Sequence, residues 1–183
     1  MTTADPPAAD AASAFLDYYA QQRPEAARFA RLLLDDGGRV VSAWGPEQMA
    51  VWHLEVQRGG MLVMFHSERG YAEWPRIVRS SAPGPHWDEY RPIGLAVFAW
   101  ARAHGVPFRL DGPDDFDHDL EAYGRDALDW LDRVGDAPLQ RVYQAWIDHR
   151  LARGARDESR QRSHAVAVME AMEAAAGSGH VGN

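Results

Sequence analysis

The positions from Pro92 to Gly105 form the most apolar stretch of the chain, and no polar residue interrupts it until Arg102. A helix that is apolar on every side must be covered on several sides by other parts of the protein. Pro92 suits the first helical position, and Gly105 can adopt the left-handed conformation that ends a helix. The pattern therefore predicts a central core helix, which is too short to span a bilayer. Its apolar residues are Ile93, Leu95, Val97, Phe98 and Trp100, with alanines between them.

A second pattern, from Met49 to Ser67, alternates as a β-hairpin does around Gly59-Gly60. Side chains alternate between the two faces of a strand, so this turn fixes which residues face each other. One face is apolar and pairs Trp52, Leu54 and Val56 with Ser67, Phe65 and Val63. The other face pairs His53, Glu55 and Gln57 with His66, Met64 and Leu62. A shift of one residue at the turn would separate His53 from His66.

The remaining periodicity predicts an α+β domain over residues 13–176, with disordered tails at 1–12 and 177–183. We expect a small antiparallel sheet of about three to five strands packed against the central apolar helix, with an N-terminal helix and C-terminal helices. Further strands are predicted at Arg39 to Trp44, Pro75 to Arg79 and, as a short edge strand, Val106 to Leu110. The C-terminal helices are predicted to begin near Pro113 and Asp114, at Asp136 to Pro138, and after Asp157.

The composition of the 183-residue chain excludes several classes of catalytic mechanism. It has no Cys and no Lys, which excludes thiolate nucleophiles, lysine Schiff bases and a Walker-type phosphate site. The sequence also lacks a G-x-S-x-G, H-E-x-x-H or G-x-G-x-x-G motif. The net charge of -8 argues against a nucleic-acid partner. With no secretion-type leader or membrane span in the sequence, we expect a cytoplasmic protein.

The pair His53 and His66, with Glu55 on the same strand face, has the ligand types of a divalent metal site. Two imidazoles on adjacent strands are close enough to share one ion. The alternative is that these three are ordinary side chains of a half-exposed sheet face, because most histidines bind no metal.

Acidic residues recur along the predicted helix that contains Asp126, Asp129 and Asp132. Such a row is usually a solvated helix face. It could also be a recognition face for a basic protein, since opposite charges accelerate association and add specificity. We therefore predict these three aspartates as partner-binding residues.

Two further segments combine charge with aromatic rings beside predicted core elements. Aromatic residues and arginine dominate the energetic centres of protein interfaces. The sequence therefore predicts partner contacts here, although the same rings could fill the core instead. The residues concerned are Glu68, Arg69 and Tyr71 in one segment, and Trp87, Asp88 and Tyr90 in the other.

These features favour a non-catalytic cytoplasmic protein-binding domain, of the inhibitor or immunity kind that neutralises a toxin enzyme. In general character the chain resembles the acidic α+β immunity proteins of bacterial toxin systems, a resemblance that covers no motif and assigns no residue. One alternative is a small-molecule or metal-dependent enzyme that uses His53, Glu55 and His66. Another is an accessory subunit that docks through its C-terminal helices. The expected partner is a basic protein, with no nucleic acid and no membrane.

Overall fold

A computed structural model describes residues 6–47, 50–80, 84–108, 119–151 and 158–177. The helices are α1 (Pro6–Tyr19), α2 (Pro24–Asp35), α3 (Ile93–His104), α4 (Leu120–Val134), α5 (Ala137–Leu151) and α6 (Glu158–Gly177). The strands are β1 (Arg39–Glu47), β2 (Val51–Arg58), β3 (Met61–Glu68), β4 (Tyr71–Ala72), β5 (Arg76–Arg79) and β6 (Arg91–Pro92). A 3-10 turn covers Trp87–Glu89. The predicted α+β architecture is confirmed.

The strands form one antiparallel sheet in the order β1-β2-β3-β5-β6, and β4 pairs with β3 beside this path. The predicted hairpin register is confirmed, because His53 faces His66 and Leu54 faces Phe65. The described part of the sheet has six strands, one more than predicted. Two strands were not predicted, β4 and β6, which have two residues each and no periodicity of their own, and the predicted edge strand at Val106 to Leu110 is not among the six.

The central helix α3 is confirmed, since every residue from Ile93 to Ala101 is buried. Gly105 ends it in the left-handed conformation, with φ at 67° and its N–H donated to the carbonyl of Ala101. The prediction that Pro92 occupies the first helical position is wrong. Pro92 belongs to β6 and is the N-cap residue of α3. Helix α3 packs against α4, α5 and α6, so it lies inside the molecule.

The inner face of the sheet supplies the other half of the core, which includes Leu54, Val56, Val63, Phe65 and Ile77, each fully buried. Helices α1 and α2 pack on β1 and β2 from this side, and α2 packs against α4. Gly124 permits the close crossing of α2 and α4, because a Cβ there would lie 2.5 Å from the ring of Phe29.

Several predicted boundaries require correction. Helix α1 begins at Pro6, inside the stretch predicted to be a disordered tail, and Ala12 is already buried. Helix α4 begins at Leu120 after a left-handed Asp119, not near Pro113, which lies outside the described residues. Residues 106–108 form no strand, and 109–110 are not described. Helix α6 ends at Gly177, and residues 178–183 also lie outside the described part.

Candidate functional site

The face of the sheet turned away from the core, here called the outer face, gathers most of the predicted site residues. Strand alternation places His53, Glu55, Met64 and His66 on it. Pairing across the sheet adds Trp44 opposite His53 and Arg76 opposite Met64. The outer face therefore carries rings and charges beside the buried Met64, which is 1% exposed, whereas the inner face is mostly apolar.

Four rings form a continuous line across the outer face, which we call the ring row: Trp44, His53, His66 and Trp87. Trp44 stacks on His53 with ring centroids 5.2 Å apart and an angle of 19°. The His53 and His66 rings lie 6.1 Å apart, and Trp87 from the 3-10 turn meets His66 edge-on at 5.3 Å. The tryptophans at the two ends of the row are exposed to solvent, Trp44 by 37% and Trp87 by 48%.

A polar network lies beside the ring row and joins Tyr90 to the hairpin. The Tyr90 hydroxyl donates a hydrogen bond to the Glu55 carboxylate, whose Oε1 is 3.7 Å from His53 Nε2. The His53 side chain lowers the pKa of Glu55, partial burial opposes this, and the Tyr90 hydroxyl lowers that pKa further. Burial, followed by the bond to Glu55, raises the pKa of Tyr90. At neutral pH the pair is therefore a carboxylate and a neutral phenol.

His66 is the half-buried centre of the ring row. Burial lowers its pKa, while the nearby carboxylates of Glu73 and Glu68 act in the opposite direction. Its Nδ1 atom is buried and has no hydrogen-bond partner among the described residues. The imidazole is therefore held mainly in its neutral form at neutral pH.

The structure gives no support to the predicted metal site. Within the described part of the chain, no group of three or more His, Asp or Glu side chains is arranged to hold a metal ion. His53, Glu55 and His66 share the outer face, but other groups engage them. Tyr90 bonds to the carboxylate, and the exposed indoles of Trp44 and Trp87 contact the two imidazoles.

The second aromatic segment reaches the outer face through the 3-10 turn. The backbone N–H of His86 donates to the Glu89 carboxylate at 2.8 Å, which fixes the start of the turn. The guanidinium of Arg76 lies over the Trp87 ring, 5.5 Å from its centroid. Trp87 and Asp88 are exposed, whereas Tyr90 is 5% exposed and anchors the segment.

The first aromatic segment lies at the turn between β3 and β4. Glu68 pairs with Tyr71 across this turn, and Arg69 lies 3.5 Å from the Glu68 carboxylate. Tyr71 is 57% exposed and also faces the guanidinium of Arg23, which is 6.0 Å from its ring centroid. The fold thus places Glu68 and Tyr71 at one end of the outer face.

The three predicted aspartates of α4 do not share one role. Arg58 of the hairpin forms a two-pronged ion pair with Asp129, at 2.8 and 2.9 Å. Asp132 accepts the backbone N–H of Gly60 at 3.1 Å and lies 3.4 Å from Arg79. Asp126 is exposed, and within the described residues it makes no ion pair or hydrogen bond to the hairpin or to β5. Asp129 and Asp132 therefore dock α4 on the hairpin turn.

Close packing at this turn explains its glycines. A Cβ on Gly59 or Gly60 would collide with the carboxylate of Asp132. Gly59 also has a φ of 54°, which favours glycine. The turn and the helix are thus fitted to each other.

Sequence reasoning missed several members of the outer face, which are Trp44, Arg76, Glu47 and Glu73. Strand pairing puts Glu47 opposite Val51, on the side of His53. Glu73 donates its N–H to the carbonyl of His66, and its carboxylate lies 3.6 Å from Arg76. Only the alternation within β1 could have indicated Trp44, because the other neighbours depend on strand order.

Two clefts of about 530 Å³ and 440 Å³ lie elsewhere on the molecule. The first is formed by α1, α2 and the start of β1, and the second by α3, α4, α5 and the end of α6. Neither is lined by a residue of the ring row.

Comparison with protein-family models, curated proteins and solved structures finds no match to this chain. Among the described helices, none has the length and apolar character needed to cross a membrane.

Proposed function

We propose that this chain is a non-catalytic protein-binding domain that recognises its partner through the outer face. The observation that carries the proposal is the ring row, which ends in two exposed tryptophans on a sheet whose other face forms the core. Tryptophan is enriched among the residues that dominate protein-protein binding energy. Covering Trp44 and Trp87 would remove two large apolar surfaces from water.

The edge of the sheet is a poorer docking place than its face. Strand β1 is an edge strand, but its pairing register shifts between Val40 and Ser42 and again between Trp44 and Glu47. Pro46 also lacks an N–H to donate. Bulges and proline are the usual devices that protect an edge from pairing with another chain. A partner would therefore meet side chains of the outer face rather than backbone of β1.

Side-chain contacts on both sides of the sheet tie the elements of the outer face together. Arg58 ties the hairpin to Asp129 of α4 and to Asp36 at the end of α2. Tyr90 ties the 3-10 turn segment to Glu55. A surface that is already ordered loses less conformational entropy when it binds.

The inhibitor hypothesis is the more specific form of this proposal: the domain would neutralise a toxin enzyme in the cytoplasm. Its support is the acidic charge and the lack of motifs for nucleophilic or phosphate chemistry in the sequence. An inhibitor acts by binding alone, so an ordered surface of rings and charges is sufficient for it.

A second candidate, a metal-dependent or small-molecule enzyme, is favoured by the network of Glu55, His53 and Tyr90. Ionisable groups with shifted pKa values cluster at catalytic sites as well as in structural networks. Analysis of the purified protein for bound divalent metal, with His53→Ala as control, separates the two candidates. Stoichiometric metal that is lost in the variant would favour the enzyme.

Site-specific cross-linking tests the proposed function. A photo-reactive phenylalanine replaces Trp87 in one variant and Asp126 of α4 in another, and each is irradiated in the native host. We expect one defined protein to cross-link through position 87 and not through position 126. That protein, once purified, should form a stoichiometric complex with the unmodified chain.

The matched control for affinity is Val134, which is 50% exposed at the end of α4. Calorimetry with the purified partner should show weaker binding for Trp44→Ala and Trp87→Ala and unchanged binding for Val134→Ala. Cross-linking only through α4, with both tryptophan variants binding normally, would overturn the proposal.

A further inference from the structure

We infer that the partner presents an arginine-bearing basic surface to the outer face, and that this face, rather than the row of aspartates on α4, is the acidic recognition surface. The inference rests on the proposed function and adds the chemistry of the partner. Its basis is the balance of charge around the ring row.

Carboxylates outnumber arginines around the ring row. Of the four arginines there, Arg76 lies 3.6 Å from Glu73 and Arg69 lies 3.5 Å from Glu68. Arg39 lies opposite Gln57 and donates to its side chain, and Arg91 donates to the backbone carbonyl of Asp88. The remaining carboxylates belong to Glu47, Glu55, Asp88 and Glu89. Six carboxylates against four arginines therefore leave the outer face with an excess of negative charge, with the imidazoles left out of the count.

The aspartates of α4 offer no comparable excess. Arg58 neutralises Asp129, and Arg79 lies against both Asp132 and Asp136 at 3.4 and 3.1 Å. These ion pairs hold α4 and the residue that follows it against the hairpin and β5. A basic protein approaching α4 would compete with arginines that are already in place.

The residue types of the outer face are suited to binding an arginine side chain in particular. A guanidinium can stack on an indole while its N–H groups donate to a carboxylate. Arg76 over Trp87 shows this stacking within the chain itself. The exposed side of Trp44, with Glu47 three residues further along β1, offers the same pair of groups to a partner.

A titration with a model peptide tests the inference. The probe is an acetylated, amidated peptide of alternating glycine and arginine, added to the ¹⁵N-labelled full chain at low salt. We expect NMR shifts at the indole N–H groups of Trp44 and Trp87. The matching citrulline peptide, which has the same shape without the charge, should produce none of them.

Two double variants provide matched controls. Glu47→Gln with Asp88→Asn removes two outer-face charges, whereas Asp126→Asn with Asp148→Asn removes two exposed charges from α4 and α5. We expect the first to weaken peptide binding by at least about threefold and the second to change it by less than about 1.5-fold. Shifts that map to α4, or equal shifts with the citrulline peptide, would overturn the inference.

The two proposals can fail separately. If position 87 cross-links to a partner but the arginine peptide avoids the outer face, the charge inference is wrong and the proposed function stands. If the peptide binds the outer face but no defined protein cross-links there, the preference for basic ligands is supported and the proposed function is overturned.

Discussion

Helix α4 and the outer face of the sheet both carry rows of carboxylates, yet the fold uses them in different ways. On α4, Arg58 of the hairpin meets Asp129 and Arg79 of β5 meets Asp132, so the charges join separate parts of one chain. On the outer face, Glu47 and Asp88 flank exposed tryptophans. An acidic row thus becomes a recognition surface only where the fold leaves it facing outward.

The largest expected effect concerns the α4 side of this comparison. Arg58→Ala removes the two-pronged pair with Asp129 and the bond to Asp36, and should lower the free energy of unfolding by about 2 kcal/mol. Urea denaturation measures this loss. A change below about 0.5 kcal/mol would show that these ion pairs do not dock the helix.

Next in size is the effect of Trp87 on binding. Trp87→Ala should weaken partner affinity at least about tenfold while lowering the free energy of unfolding by less than about 1 kcal/mol, because the ring is half exposed. Calorimetry and urea denaturation on the same samples separate the two effects. A large loss of stability with normal affinity would assign Trp87 to the fold instead.

A smaller effect should appear in the pH dependence of stability. Because burial lowers the folded-state pKa of His66, the unfolded chain binds more protons once the pH falls below the ordinary value of 6.5. The contribution of His66 to the free energy of unfolding should therefore be fully present above that pH. It should decrease as the pH falls toward the folded-state pKa. His66→Gln should lose this part of the dependence, as urea denaturation at several pH values would show. An identical pH profile in the variant would contradict the assignment.

The smallest expected effect is that of Asp126→Asn. Because Asp126 is exposed, the substitution should change the free energy of unfolding by less than about 0.5 kcal/mol. The partner affinity should stay the same. The same two measurements apply. A clear loss of affinity would restore α4 as a recognition face.

Much of the fold was predictable because its signals are local. Pro92, the apolar run of α3 and Gly105 follow one another in a single segment, and the Gly59-Gly60 turn alone fixes the pairing of His53 with His66. The short strands β4 and β6 exist only because β3 and β5 lie beside them. The start of α1 was missed because an alanine-rich stretch after Pro6 has no strong hydrophobic period.

The candidate site was predictable only in part. Alternation correctly grouped His53, Glu55 and His66, but it could not show that Tyr90 would bond to the carboxylate. Helical spacing likewise placed Asp126, Asp129 and Asp132 on one helix without showing that Arg58 lies against it. Such contacts join residues far apart in sequence, so they follow from strand order and helix docking rather than from local pattern.

The most direct test of the central claim is an NMR spectrum of the ¹⁵N-labelled chain with its purified partner, read at the indole N–H groups. We predict that the signals of Trp44 and Trp87 shift and become protected from exchange with water, while that of Trp130 on α4 stays unchanged. A shift at Trp130 with Trp44 and Trp87 unaffected would contradict it.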